Sequence, residues 1–214
     1  MTHPLADRLE TPAAVAATPS ADDLPSPIRF GMLLVLSAEL MLFSGLIAAY
    51  LVLRGGNGEL FRESREVLSG TPALVAVVVM LVGCIAITVA VRLAPLPVLR
   101  RRLGGGDSVL VKAAIIAALL GLLAMTCIAW QWNALLNRLP TDSYGPSRNV
   151  FFSCYYLLTG ALLLHVLAAA LLAAGVAARA TRQTLTPDAL TAVAYCWQFV
   201  CAATCVVVWL LYWT

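Results

Sequence analysis

Charge is what this sequence has least of. Asp, Glu, Lys and Arg make up 12% of its 214 residues, against 61% apolar residues. A soluble domain usually carries about 25% charged residues. A water-soluble fold of this composition would leave broad apolar areas facing solvent, whereas a bilayer accepts them. Histidine is nearly missing, with two residues in the chain. Haem and copper sites draw chiefly on His ligands, so too few are present for this chain to hold a redox centre alone. The six cysteines form no CxxC pair and have no His partner at zinc-site spacing. Cys84, Cys127, Cys154, Cys196, Cys201 and Cys205 all fall in apolar runs. Cys201 and Cys205 share a helix face, which would suit a metal or redox pair, but Cys also serves as a small apolar residue at helix contacts. A phosphate-binding GxxxxGK[ST] loop is missing too. The run Gly104, Gly105, Gly106 has no Lys-Ser/Thr after it and reads as a flexible connector. The net charge of +3 gathers in short stretches between apolar runs. That distribution suits membrane loops and gives no nucleic-acid surface.

Long apolar runs are what the chain has. A membrane-spanning helix needs roughly 20 mostly apolar residues to cross about 30 Å of hydrocarbon. Five stretches qualify, over about 28–53, 72–91, 111–136, 150–177 and 190–213. Lipid offers the backbone no hydrogen-bond partners, so each must be a helix. The alternation of barrel strands is not seen. The expectation is an all-α bundle of five transmembrane helices, residues 28–214, behind a flexible tail of residues 1–27 rich in Ala, Thr, Pro and Asp. The first run is too long for a signal-peptide core.

Orientation follows from Lys and Arg. Nine of the fourteen fall in the tail and the two even-numbered loops, including Arg100, Arg101 and Arg102; five fall in the odd-numbered loops. The positive-inside rule then places the N-terminus in the cytoplasm and the C-terminus outside. Trp130, Trp132, Tyr212 and Trp213 fall near outer ends, as an aromatic belt would. Small residues four apart, such as Gly45 with Ala49, Ala169 with Ala173 and Ala170 with Ala174, would let helices approach closely.

Among the acids, only Glu39 lies well inside a span, and of the histidines only His165 does. An ionisable group at the bilayer centre costs at least about 2.5–3.5 kcal/mol and normally finds a partner. Glu39 is roughly 16 Å along the first helix from its cytoplasmic start; His165 is roughly 18 Å from the cytoplasmic end of the fourth. Equal depths predict that the two meet. A proton-related or lipid-organising pair is one reading; a structural interhelical hydrogen bond, worth under about 2 kcal/mol in a membrane, is the other. Gln131, Asn133 and Gln198 are further candidates for interhelical bonds or for a cleft.

Four segments carry a family resemblance. LSAELMLFSGLIAAY, Leu36 to Tyr50, resembles a helix with a Ser-Glu-x-Met-Phe-Phe core followed by Gly and an aromatic, with Glu39, Met41 and Phe43 matching. Gln131 stands at the outer end of the third span, where the family has a Gln. YGPSRNVFFSCYYLLTGALLLHV, Tyr144 to Val166, resembles a Tyr-Gly, Phe-Phe, Thr-Gly-x-His-x-x-His-Val pattern, with Leu162 in place of the first His and His165 on the second. YCWQFVCAATCVVVWLLYW, Tyr195 to Trp213, resembles Trp-His-Phe-Val-Asp running to Tyr-Trp, with Gln198 replacing the His and Cys201 the Asp. The family is subunit III of the haem–copper oxidases, the cytochrome c and bo-type quinol oxidases, in its five-helix bacterial form.

The resemblance implies an accessory subunit in the bacterial inner membrane, with no cofactor of its own. Haem and copper would lie in a catalytic subunit I, accompanied by subunit II, with structural phospholipid in a V-shaped cleft. It implies support of proton uptake in aerobic respiration, with Glu39 and His165 at the cleft and Gln131 and Gln198 as secondary polar positions. Lipid is expected between the first one or two spans and the remaining ones. The polar losses at Leu162, Gln198 and Cys201 leave a nitric-oxide-reductase-linked relative as an alternative. A small membrane transporter is the alternative of another class, though it would need a longer chain of ionisable groups.

Overall fold

The computed structural model describes residues 26–93, 106–137, 144–182 and 186–214. Among these residues the helices are α1 (Pro27–Gly56), α2 (Gly58–Glu66), α3 (Gly70–Leu93), α4 (Gly106–Leu136), α5 (Val150–Thr181) and α6 (Pro187–Trp213). All but α2 are long and apolar enough to cross a membrane, which makes the chain a multi-pass membrane protein by length and composition. The tail and the cluster Arg100, Arg101, Arg102 lie outside the described residues; of the glycine run, Gly106 opens α4.

The helix starts follow from local chemistry. Pro27 and Pro187 occupy the first turns of α1 and α6, where the missing N–H breaks no bond. Thr186 caps α6 by accepting from the Ala189 N–H at 3.3 Å. Pro72 falls in the first turn of α3, among N–H groups that have no helical partner. α4 begins five residues before the apolar run does, because Gly106, Asp107 and Ser108 extend the helix in a stretch that hydropathy reads as loop.

The short helix α2 falls between the first two apolar runs, where the sequence predicts a loop. Its buried residues are Phe61 and Ser64, and Leu60, Val67 and Leu68 continue the same face. That spacing of three and four is the signature of an amphipathic helix, masked here by five charges in nine residues.

The interior divides in two. Toward the start of α1, the contacts of α3, α4, α5 and α6 are built largely from alanine: Ala90, Ala113, Ala114, Ala117, Ala169 and Ala173 among others. Such residues allow close approach where no hydrophobic effect drives helices together. Toward the other end the interior is aromatic, with Phe43, Tyr50, Phe61, Phe151, Phe152 and Tyr155. Here α1 and α2 join, through edge-on contacts of Tyr50 with Phe61 at 5.4 Å and Phe61 with Phe151 at 5.4 Å.

Helix α1 stands at the margin. It packs against α5 and α6, and its buried residues are Phe43 and Tyr50. The second span, α3, belongs to the bundle with α4 and α6, so a division of the structure falls after the first span. Polar ties hold α1 along its length. Arg29 Nε pairs with Asp188 Oδ1 at 2.8 Å, Tyr50 donates to the Leu210 carbonyl at 3.4 Å, and Arg54 donates to the Thr214 carbonyl. The partners advance together, so α1 and α6 run parallel.

Gly45 and Ala49 do not make the close approach expected of them. Both are exposed, and nothing lies within 4 Å of a Cβ placed on Gly45. Ala169, Ala170 and Ala173 are buried, while Ala174 is exposed. The tight crossing lies elsewhere. Trp197 is fully buried, and Cβ atoms at Gly83 of α3 and Gly121 of α4 would approach its ring to 3.2 Å and 3.1 Å. Its Nε1–H donates to the Ala169 carbonyl of α5 at 3.1 Å. One indole thus touches all three other helices of the bundle.

Candidate functional site

Glu39 and His165 meet. His165 Nε2 lies 2.6 Å from Glu39 Oε2, across α5 and α1. The equal depths read from sequence are met by the geometry. Phe43, one turn after Glu39, lays its ring edge-on to the imidazole at 5.0 Å and to Phe199 at 5.9 Å. These rings shield one side of the pair. The other side is open: the Glu39 side chain is 30% exposed and that of His165 13%. The site is therefore on a partly exposed seam between α1 and α5, not in the bundle interior.

The hydrogen bonds fix the proton count. His165 Nδ1 is 2.6 Å from the Ala161 carbonyl. A carbonyl only accepts, so Nδ1 carries a hydrogen. One further proton then serves Nε2 and Oε2. It resides on the carboxyl, giving two neutral groups, or on Nε2, giving imidazolium beside carboxylate. Both forms are neutral overall, which suits a low-dielectric surface. Removing the proton sets the Nε2 lone pair against a carboxylate; adding another leaves a net cation.

The secondary positions lie elsewhere. Gln198 is exposed on α6 and donates to Thr88 Oγ1 of α3 at 3.3 Å, an interhelical bond on another face. Gln131 is buried and lines a cavity of about 20 Å³ with Tyr155, Thr159, Leu162 and Tyr212. Asn133 is exposed and accepts from Asn137, just past the end of α4, so it makes no interhelical bond there. Leu162 and Cys201 are buried in the interior. Among the described residues no group of three or more His, Cys, Asp and Glu is placed to hold a metal ion.

Trp130 and Trp213 are exposed at the end of the bundle where α1 finishes, and Trp132 turns inward to donate to Thr159 Oγ1 at 3.0 Å. Trp209, not singled out from sequence, is exposed there too. Sequence reasoning also missed a wide pocket at this end, beside α2, lined by Arg54, Arg62 and Arg65. Clustered arginines beyond the first span were its visible trace. Neither the protein-family profiles nor the curated proteins contain a match to this chain.

Proposed function

We propose that the chain is the accessory, non-redox subunit III of a haem–copper terminal oxidase in a bacterial inner membrane. Its N-terminus lies in the cytoplasm and its C-terminus outside. It stabilises the catalytic subunit and supports proton uptake, the electron chemistry residing in the haem and copper of subunit I beside subunit II. The observation that carries this reading is the pair itself, an ionisable couple on a partly exposed seam, made by the two residues that the family motifs would retain. Within it, Glu39 and His165 form a one-proton relay. The shared proton moves between Oε2 and Nε2 along a 2.6 Å line with no change in net charge. Nδ1–H is held by the Ala161 carbonyl, so a proton would enter and leave through the exposed Glu39 side of the pair, one replacing the other. Phospholipid and the catalytic subunit are the partners that would cover the open side.

The replacements at Leu162, Gln198 and Cys201 favour a second reading, a subunit-III-like accessory of a nitric oxide reductase. Purification of the native complex in mild detergent separates them. A haem–copper oxidase spectrum in the copurified partner supports the first, a nitric oxide reductase the second. A stable preparation with no haem-bearing partner refutes both.

A further inference from the structure

We infer that the pocket between the end of α1 and α2 is a binding site for a phosphate group. The cavity measures about 410 Å³ and lies well away from the Glu39–His165 pair. Three guanidinium groups line it, those of Arg54, Arg62 and Arg65, and no carboxylate side chain does. Arg54 spends one donor on the Thr214 carbonyl and Arg62 one on Glu59 at 2.8 Å. A guanidinium has five N–H donors, so most remain. Arg65 makes no side-chain hydrogen bond or ion pair among the described residues. Planar forks of this kind match phosphate oxygens in pairs.

The backbone adds N–H donors at the start of α2, whose first turn also carries Glu59, paired with Arg62 outside the pocket lining. Gly58, the first residue of α2, lines the same pocket. Its cap residue, Asn57, makes no side-chain cap bond and donates instead to the Leu53 carbonyl at 2.9 Å. The N–H groups of the first turn therefore lack a side-chain acceptor. A Cβ at Gly55 or Gly58 would meet nothing within 4 Å, so the mouth is open.

The surroundings point to a lipid as the bearer. The pocket sits where a membrane-spanning helix ends and an amphipathic helix begins, the depth of phospholipid headgroups. Leu51 is on its wall and Val52, beside it in sequence, is 75% exposed. An acyl chain attached to the held phosphate would run down this apolar flank of α1. The site needs only the membrane setting and stands whether or not the oxidase reading does.

The test uses the full chain, delipidated in detergent and titrated under native mass spectrometry. The probes are phosphatidylglycerol, a diacylglycerol lacking phosphate, and inorganic phosphate. Phosphatidylglycerol should bind and diacylglycerol should not. Arg65→Gln should weaken binding roughly tenfold or more, the worth of a charge-assisted hydrogen bond, and Arg65→Lys less. Arg148→Gln removes an equal charge from a site that sits over the Tyr144 ring, and should change nothing. Binding of inorganic phosphate with the same Arg65 dependence, but none of the lipid, would keep the site and make the free ion its source. Equal phosphatidylglycerol binding by Arg65→Gln, Arg148→Gln and the parent would overturn the inference. So would binding of neither phosphate-bearing probe.

Discussion

The chemistry of the seam comes down to one proton between two side chains, and substitutions can separate its structural part from its functional part. Glu39→Gln keeps a donor for His165 Nε2, since the amide N–H₂ replaces the carboxyl O–H. It removes the transferable proton. Glu39→Leu removes the bond altogether and strands the imidazole lone pair beside Phe43. Interhelical side-chain bonds in membranes contribute about 0.6 kcal/mol on average and up to about 1.7. Glu39→Gln should therefore unfold within about 0.5 kcal/mol of the parent, and Glu39→Leu about 1–2 kcal/mol below it. Reversible unfolding in mixed micelles, followed by circular dichroism, measures both. Equal stability of Glu39→Leu and the parent would mean the hydrogen bond adds nothing to the fold. The pair was legible in the sequence because an ionisable residue in hydrocarbon must be explained, and two helices of opposite direction leave one depth at which they can meet. The Ala161 carbonyl that settles the tautomer was not legible: it is a backbone atom, and any i−4 residue supplies one.

Among elements, Trp197 decides how α3, α4, α5 and α6 cross. The indole is held from two sides by glycines and from a third by the Ala169 carbonyl, so it cannot yield when a neighbour grows. A methyl at position 121 would approach ring atom Cη2 to 3.1 Å while also meeting Ala170 and Val166. Overpacking of this kind costs about 1–3 kcal/mol. Gly121→Ala should lose that much, and the loss should shrink in a Trp197→Phe background, where the smaller ring no longer reaches. A double-mutant cycle measures the coupling; helix propensity alone would favour alanine, so additive losses would show that Ala170 and Val166, and not the ring, exclude the methyl. Small residues four apart mark close approach at Ala169 and Ala173, which are buried, but not at Gly45 and Ala49, which face outward. Gly83 stands without such a partner, between Val79 and Ile87, while Gly121 has Ala117 four residues before it. A spacing rule finds two small residues on one helix face, whereas this crossing sets single glycines of two helices against one large ring. The helix α2 was missed for a different reason. Its apolar residues keep helical spacing, but the charges that let it lie at an interface also make it resemble a loop.

At the scale of the whole molecule, the five spans were read to within a few residues because hydrocarbon thickness dictates their length, yet nothing in span lengths says which helix stands apart. That is set by what each helix offers for burial. α3 to α6 share a continuous alanine-rich interior, while α1 gives Phe43 and Tyr50 to the aromatic half and leaves Met41 76% and Val52 75% exposed. Its ties to α6 at either end are polar and near the surface. The Arg29–Asp188 pair has side chains 42% and 35% exposed, and such a pair contributes about 0–1 kcal/mol. The first half of α1 thus depends on the Glu39–His165 bond and on whatever covers it. Unfolding should accordingly be staged. As the SDS mole fraction rises, amides of Leu33 to Leu40 should gain exchange before those of α3 to α6, and Glu39→Leu should move the first stage to lower SDS while leaving the second in place. Simultaneous exchange across all five spans would show instead that α1 is as firmly seated as the bundle, and the open seam would then be a surface feature with no mechanical consequence.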